Sequence, residues 1–256
     1  MRLDLYLANR GIVKSRSRAA SLISGGYVTV NGCVVDKPSR DVSDDDEVVL
    51  IGEDHSFVGR GGVKLEAALD AFGVDVSGLI CADIGASTGG FTDCLLRHGA
   101  AHVYAVDAGH GQLDPTLVSD DRVTNIEGCN ARYMTVDTLG GKCRCAVSDL
   151  SFISQTLVIP AISGILEDGA VSITLVKPQF ECGKGALSHN GIVRDKKQHI
   201  EAVRRVASSA VLNGLAPQRI IKSPISGGDG NTEFLLLSIR GGIPTLTDDD
   251  IYTSVY

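Results

Sequence analysis

Two apolar stretches in the middle of the chain end in residues that could do acid–base work. Cys145-Ala146-Val147-Ser148 runs into Asp149, and Ser172-Ile173-Thr174-Leu175-Val176 runs into Lys177 and Pro178. In an open parallel sheet, ligands bind at the carboxyl ends of the strands, so a carboxylate and an ammonium at two such ends share one site. That pairing suits activation of a weak nucleophile such as a sugar hydroxyl, which ionises far above neutral pH and needs a base or nearby positive charge. A lysine crowded by a second cation gives up its proton more readily, and the free amine can take the hydroxyl's proton. Lys64, opening an amphipathic helix, and Glu233, at the start of the last strand, are the candidates to complete the group. Asp149 is expected to orient Lys177.

A second constellation lies upstream. Asp83-Ile84-Gly85-Ala86-Ser87-Thr88-Gly89-Gly90-Phe91 takes an apolar strand through a glycine-rich turn into a helix, and His102-Val103-Tyr104-Ala105-Val106 ends in Asp107. The glycines let the backbone approach a ligand closely. Asp107 follows the turn by about 20 residues, where an acid can hydrogen-bond both hydroxyls of a ribose. The glycine spacing is not the one that sets a pyrophosphate on a helix N-terminus, and no Lys-Ser or Lys-Thr follows to cradle phosphates. A glycine turn with a distal ribose-binding acid and no pyrophosphate site suits S-adenosylmethionine. The expected cofactor residues are Asp83, Gly85, Ser87, Gly89, Gly90, Phe91, Asp107 and Glu127, with no metal.

These residues need a frame. From residue 64 onward strands and helices alternate, with strands at 79–84, 102–107, 123–127, 144–149, 171–176, 218–224 and 232–239 and helices near 89–98, 155–167 and 195–212. The alternation predicts an α/β, doubly wound, mostly parallel sheet. The connection Gly227-Gly228-Asp229-Gly230-Asn231 is too short for a crossover, so one strand near the sheet's end is antiparallel. This is the arrangement of a Rossmann-like methyltransferase rather than of an NAD enzyme. Residues 53–63, polar and glycine-rich, read as a linker, and 64–256 as the cofactor-binding domain.

Residues 1–52 read as a small α+β module. Leu3, Leu5, Tyr6 and Leu7 lie on a short helix that Gly11 can cap, and Ser15 can N-cap a second helix whose apolar face is Ala19, Ala20, Leu22 and Ile23 and which Gly25-Gly26 ends. Tyr27 to Val30, the turn Asn31-Gly32, Cys33 to Val35 and Glu47 to Ile51 make a small sheet. The whole chain carries a net charge of −7, yet residues 1–40 hold seven bases against two acids. A local basic face can bind nucleic acid whatever the overall charge. Its candidates are Arg2, Arg10, Lys14, Arg16, Arg18 and Lys37. Hydrophobic residues make up 43% of the chain, enough for a sizeable core. The first residues lack the apolar core of an export signal, no apolar run approaches a membrane span, and the seven cysteines form no CxxC pair. The expectation is a cytoplasmic protein with reduced thiols.

The first segment resembles the small RNA-binding domain shared by a small-subunit ribosomal protein, pseudouridine synthases and bacterial tyrosyl-tRNA synthetase. It does so through Ser15-Arg16-Ser17-Arg18-Ala19, Gly25-Gly26-x-Val28-x-Val30-Asn31-Gly32 and Val35-x-Lys37-Pro38. Lys64, Asp149, Lys177 and Glu233 resemble the Lys-Asp-Lys-Glu tetrad of FtsJ-like ribose 2′-O-methyltransferases. The ordered series adds Gly59-Arg60-Gly61-Gly62-x-Lys64-Leu65, the glycine turn, Asn130-Ala131-Arg132, Ser148-Asp149-Leu150-Ser151-Phe152-Ile153-Ser154, Leu175 to Glu181 and Gly230-Asn231-x-Glu233-Phe234. Over nearly its whole length the chain is similar to the TlyA family, known both as haemolysins and as rRNA cytidine 2′-O-methyltransferases. The resemblance implies S-adenosylmethionine as donor, a cytidine ribose of ribosomal RNA as acceptor, and, from the family's shorter form, the large ribosomal subunit. A membrane-active haemolysin and a non-catalytic ribosome-binding factor are the alternative readings. Oligomeric state stays open.

Overall fold

The computed structural model describes residues 1–13, 15–24, 27–50, 57–227 and 230–256. They divide into two compact units, Met1–Arg60 and Gly61–Tyr256. Lys14, Gly25 and Gly26, the 51–56 part of the expected connection and two glycine-loop residues, 228 and 229, lie outside the described residues.

In the first unit, helices α1 (Leu3–Asn9) and α2 (Arg16–Ser24) pack with strands β1 (Val28–Val30), β2 (Cys33–Val34) and β3 (Val48–Leu50), in the sheet order β2-β1-β3. Gly11, just past α1, takes φ +68°. The Ser15 hydroxyl accepts from Arg18 N at 3.2 Å and caps α2. Asn31 (φ 53°) and Gly32 (φ 76°) both sit in the left-handed region, as a two-residue hairpin turn requires. Leu3, Leu7, Ala19, Ile23, Val28 and Val30 form the core.

The second unit comprises α3 (Gly61–Phe72), β4 (Ile80–Ile84), α4 (Gly90–Arg97), β5 (His102–Val106), α5 (Pro115–Val118), β6 (Val123–Ile126), α6 (Val136–Leu139), β7 (Cys143–Ser148), α7 (Ile159–Ile165), β8 (Leu166–Val176), α8 (Pro178–Glu181), α9 (Lys196–Leu212), β9 (Leu215–Lys222), β10 (Phe234–Arg240) and α10 (Asp248–Val255). The sheet order is β6-β5-β4-β7-β8-β10-β9, parallel but for β10, which runs antiparallel to both neighbours. The chain winds outward from β4 to β6, then crosses back to β7 on the other side of β4, so the order reverses between β4 and β7. In open α/β sheets ligands bind at the carboxyl ends of the strands where the order reverses. Because β10 is antiparallel, its first residues lie at that same edge: Phe234 pairs with Val176, which places Glu233 beside Lys177.

Three sequence expectations shift. The helix expected to open at Lys64 starts at Gly61, so residues 61–63 are not linker. Gly62 is buried, and a Cβ on Gly61 would stand 3.1 Å from the Phe91 ring. These glycines permit close helix packing rather than flexibility. The helix expected over 155–167 is instead a 3-10 turn (Gln155–Leu157) and then α7, because Leu166 already pairs with Cys143 as the start of β8. Helix α10 had no counterpart in the expectation, although the Thr247/Asp250 capping box marks its start. All seven cysteines are free thiols. Among the described residues no helix is long and apolar enough to cross a membrane.

Candidate active site

Each of the four expected acid–base residues comes from a different element. Lys64 lies in the first turns of α3, Asp149 follows β7, Lys177 caps α8 directly after β8, and Glu233 precedes β10. The structure brings all four together. Lys64 Nζ donates to Glu233 Oε2 at 2.6 Å and lies 3.8 Å from Asp149 Oδ2. Lys177 Nζ lies 2.6 Å from Asp149 Oδ1, a close ion pair. Lys177 also donates to Ser151 Oγ at 2.9 Å. Lys64, Lys177 and Glu233 are buried and Asp149 is half-buried. Two cations and two carboxylates make the cluster neutral as a whole, which is how charges tolerate removal from water.

The glycine turn abuts this cluster. Gly85 takes φ +88°, and a Cβ there would meet Asp149 O at 2.5 Å. Its glycine is therefore needed for the approach of the Asp149 backbone, a reason the spacing alone did not give. Ser87 (φ 48°) and Gly89 (φ 95°) bend the turn, and α4 starts at Gly90. Ser87 N donates to Asp107 Oδ2 at 2.8 Å and Gly109 N to Asp107 Oδ1 at 2.7 Å. Asp107 thus ties the turn to the loop after β5, and each carboxylate oxygen keeps a lone pair for a ligand. Glu127 accepts from Asn125 Nδ2 and Gly111 N, and these bonds hold its pKa below the usual range. The Phe91 ring is buried against Gly61, where it packs α3 on α4.

Asp83 is fully buried. Thr92 Oγ1 donates to Oδ2 at 2.7 Å, while Oδ1 has no partner among the described residues. Burial, with Asp149 nearby, pushes its pKa up to about 7. An orphaned buried carboxylate oxygen beside a glycine turn is a vacant acceptor for a cationic group, and the ammonium of S-adenosylmethionine fits that chemistry.

Sequence reasoning passed over three residues here. Ser151 lies two positions beyond the strand-end acid, where the strand-end rule stops. Phe152, next along, is 92% exposed with φ +64°, its ring 5.4 Å from that of Phe180. A bulky residue held in the left-handed region and facing solvent marks a constrained surface. Gly227 is the third: a Cβ there would stand 2.6 Å from Glu233 Oε1.

The basic candidates of the first unit are spread over more than one role. Arg2 and Arg16 both bond the buried Asp4, at 2.9 and 3.0 Å. Arg10 pairs with Asp44 and lies over the Tyr6 ring, and Arg18 donates to Phe57 O at 3.1 Å. Lys37 is exposed. Lys14 is outside the described residues.

Comparison with known proteins follows the same division. Residues 57–240 match the family described as FtsJ-like methyltransferase, and residues 1–48 match the S4 domain. The chain is 43% identical over 236 residues to the 16S/23S rRNA (cytidine-2′-O)-methyltransferase TlyA of Mycobacterium tuberculosis, covering 92% of this chain and 88% of that protein. It is 42% identical to Hemolysin A of Brachyspira hyodysenteriae, over 92% of this chain and 98% of that one. A solved structure of a protein named a hemolysin, from Streptococcus thermophilus, matches with a TM-score of 0.78 at 41% identity, covering 100% of this chain and 94% of the other.

Proposed function

The chain belongs to the FtsJ-like methyltransferase family, and from that premise we propose that it moves a methyl group from S-adenosylmethionine to the 2′-hydroxyl of a cytidine ribose in ribosomal RNA. The observation that carries this reading is the buried meeting of Lys64, Asp149, Lys177 and Glu233, with N–O separations of 2.6, 3.8 and 2.6 Å, at the edge where the glycine turn lies.

When bound, the cofactor supplies a methyl on a positively charged sulfur, which an oxygen nucleophile attacks in line. Asp107 and Glu127 would hold its ribose, Asp83 would face its ammonium, and the Ser87–Gly89 turn would make room for it. Lys177 takes the proton of the 2′-hydroxyl. It does so as the neutral amine, on its lone pair, while Asp149 at 2.6 Å, the Ser151 hydroxyl at 2.9 Å and the Phe180 ring at 5.9 Å hold the nitrogen in place. Asp149 fixes the amine's position. Lys64, held by Glu233, adds a second positive charge that favours the developing alkoxide. Phe152 offers a ring face on which an unstacked acceptor base can lie.

Residues 1–52 supply the RNA-binding module and 61–256, from the start of α3, the methyl-transfer domain. The acceptor is proposed to lie in large-subunit RNA in the cytoplasm, and small-subunit RNA is the second substrate to test, since the M. tuberculosis relative carries both in its name. The test is incubation with methyl-labelled S-adenosylmethionine and each unmodified ribosomal subunit. Label at a single cytidine of the large subunit is expected. No label on either subunit, with cofactor binding intact, would sink the reading.

A further inference from the structure

Resting on the methyl-transfer reading above, we propose that Glu181 is a positioning residue that sets the separation of Asp149 and Lys177. Pro178 starts α8 immediately after Lys177, and one turn later Glu181 is buried under the loop that carries Asp149 and Ser151. Its two carboxylate oxygens hold the far end of that loop. Ser154 Oγ donates to Oε2 at 2.5 Å, and Gln155 N donates to Oε1 at 2.7 Å.

The clamp extends through Gln155. Its buried side chain donates from Nε2 to Leu175 O at 3.1 Å and accepts at Oε1 from Ser148 Oγ at 3.4 Å. Ser148 directly precedes Asp149, and Leu175 lies two residues before Lys177. One buried amide therefore bridges the ends of β7 and β8, and Glu181 fixes the backbone from which that amide springs. The Glu181 main chain is itself held, because Arg205 on α9 donates to Glu181 O at 2.6 Å. Burying a carboxylate is costly, and here each oxygen is met by a donor, as that cost requires. Glu181 shares no hydrogen bond or ion pair with the tetrad among the described residues. Its effect passes through the loop and through Gln155.

The test compares Glu181→Ala with Glu181→Gln. Alanine removes both acceptors. Glutamine keeps the clamp, because its amide oxygen can take the Gln155 N–H while its nitrogen donates to the Ser154 hydroxyl, which can accept. In steady-state methyl transfer to ribosomal RNA, alanine is expected to lower kcat about 10- to 100-fold, the size of a misplacement near 1 Å. KM for RNA and cofactor affinity by calorimetry should stay within about 3-fold, and glutamine should restore most of kcat. In crystals of the alanine variant, the Lys177 Nζ–Asp149 Oδ1 separation should open from 2.6 Å to beyond about 4 Å. Unchanged kcat, an equal loss in both variants, or an intact 2.6 Å contact in the alanine crystal would each overturn the proposal. A wild-type enzyme that methylates no ribosomal RNA would instead sink the functional reading, and the crystal distance would still decide the clamp. If the alanine variant does not fold, Ser154→Ala removes one of the two bonds, and a smaller fall in kcat is expected; no fall would overturn the proposal.

Discussion

Each unit sets a carboxylate between two cations, Asp4 buried in the first and Asp149 half-buried in the second. In the first unit Asp4, 3% exposed, accepts four hydrogen bonds: from Arg2 Nε and Nη2, Arg16 Nε and Leu5 N, all between 2.9 and 3.0 Å. Its arginine partners are 43% and 55% exposed. In the second unit the lysines are buried: Lys177 lies 2.6 Å from Asp149 Oδ1 and Lys64 2.6 Å from Glu233 Oε2. A carboxylate with every lone pair used is finished; it fixes two helices and has nothing left to offer. In the proposed mechanism the lysine beside Asp149 first gives up its own proton and then, as the free amine, takes the proton of the substrate hydroxyl on its lone pair. Exposed cations mark the structural cluster, and buried ones mark the cluster proposed to react.

The largest expected effect breaks the reactive cluster. Lys177→Ala should lower methyl transfer at least about 10³-fold, within the range of acid–base catalysis, and leave cofactor affinity by calorimetry nearly unchanged. Full activity in that variant would remove Lys177 from the mechanism. Breaking the structural cluster should act on folding instead. Asp4→Ala should destabilise the first unit by about 2–3 kcal/mol, the worth of hydrogen bonds to charged groups, read from denaturant unfolding. A change below about 0.5 kcal/mol would place Asp4 among ordinary surface residues.

The two units also differ in the sign of their pH response. The Arg2 and Arg16 guanidiniums hold Asp4 well below its ordinary 3.8, so the stability it contributes is present above about pH 4 and is lost as pH falls below that. Asp83 runs the other way. Its folded pKa of about 7 exceeds the unfolded 3.8, so the folded state holds an extra proton between those values, and stability falls as pH rises from about 4 to 7. Asp83→Asn should remove that second slope and weaken cofactor binding. A variant that keeps the slope would reassign it to another group.

The smallest effect sharpens the division of labour among the bases. Lys37→Glu should weaken RNA binding modestly and lower the salt dependence by about one phosphate contact. Arg16 is unsuited to this test, because its substitution also strips a bond from Asp4. An unaltered salt slope in the Lys37 variant would count against that side of the module as an RNA surface.

The doubly wound sheet, its antiparallel strand and the strand-end residues Asp149 and Lys177 were legible from short-range signals: apolar runs, their polar ends, and a loop too short for a crossover; Lys64 and Glu233 were added as candidates and matched by the family resemblance. What escaped depends on contacts between segments far apart in the chain. Glycines 61 and 62 look like linker until Phe91 is seen against them. Gly85 reads as a ligand-facing residue until the Asp149 backbone is found 2.5 Å from where its Cβ would lie. Phe91 reads as part of the turn, yet its ring turns into the core. Arg2 and Arg16 read as part of a nucleic-acid-binding face, and only the fold shows that both bond the buried Asp4. Helix α10 was readable from Thr247 and Asp250.

The most direct measurement concerns where the methyl goes. Ribosomal RNA methylated by the wild-type protein and by Lys177→Ala, digested to nucleosides and resolved by mass spectrometry, should contain 2′-O-methylcytidine only with the wild type. Methyl on a base atom, or equal 2′-O-methylation by both proteins, would contradict the assignment of the tetrad to ribose methylation.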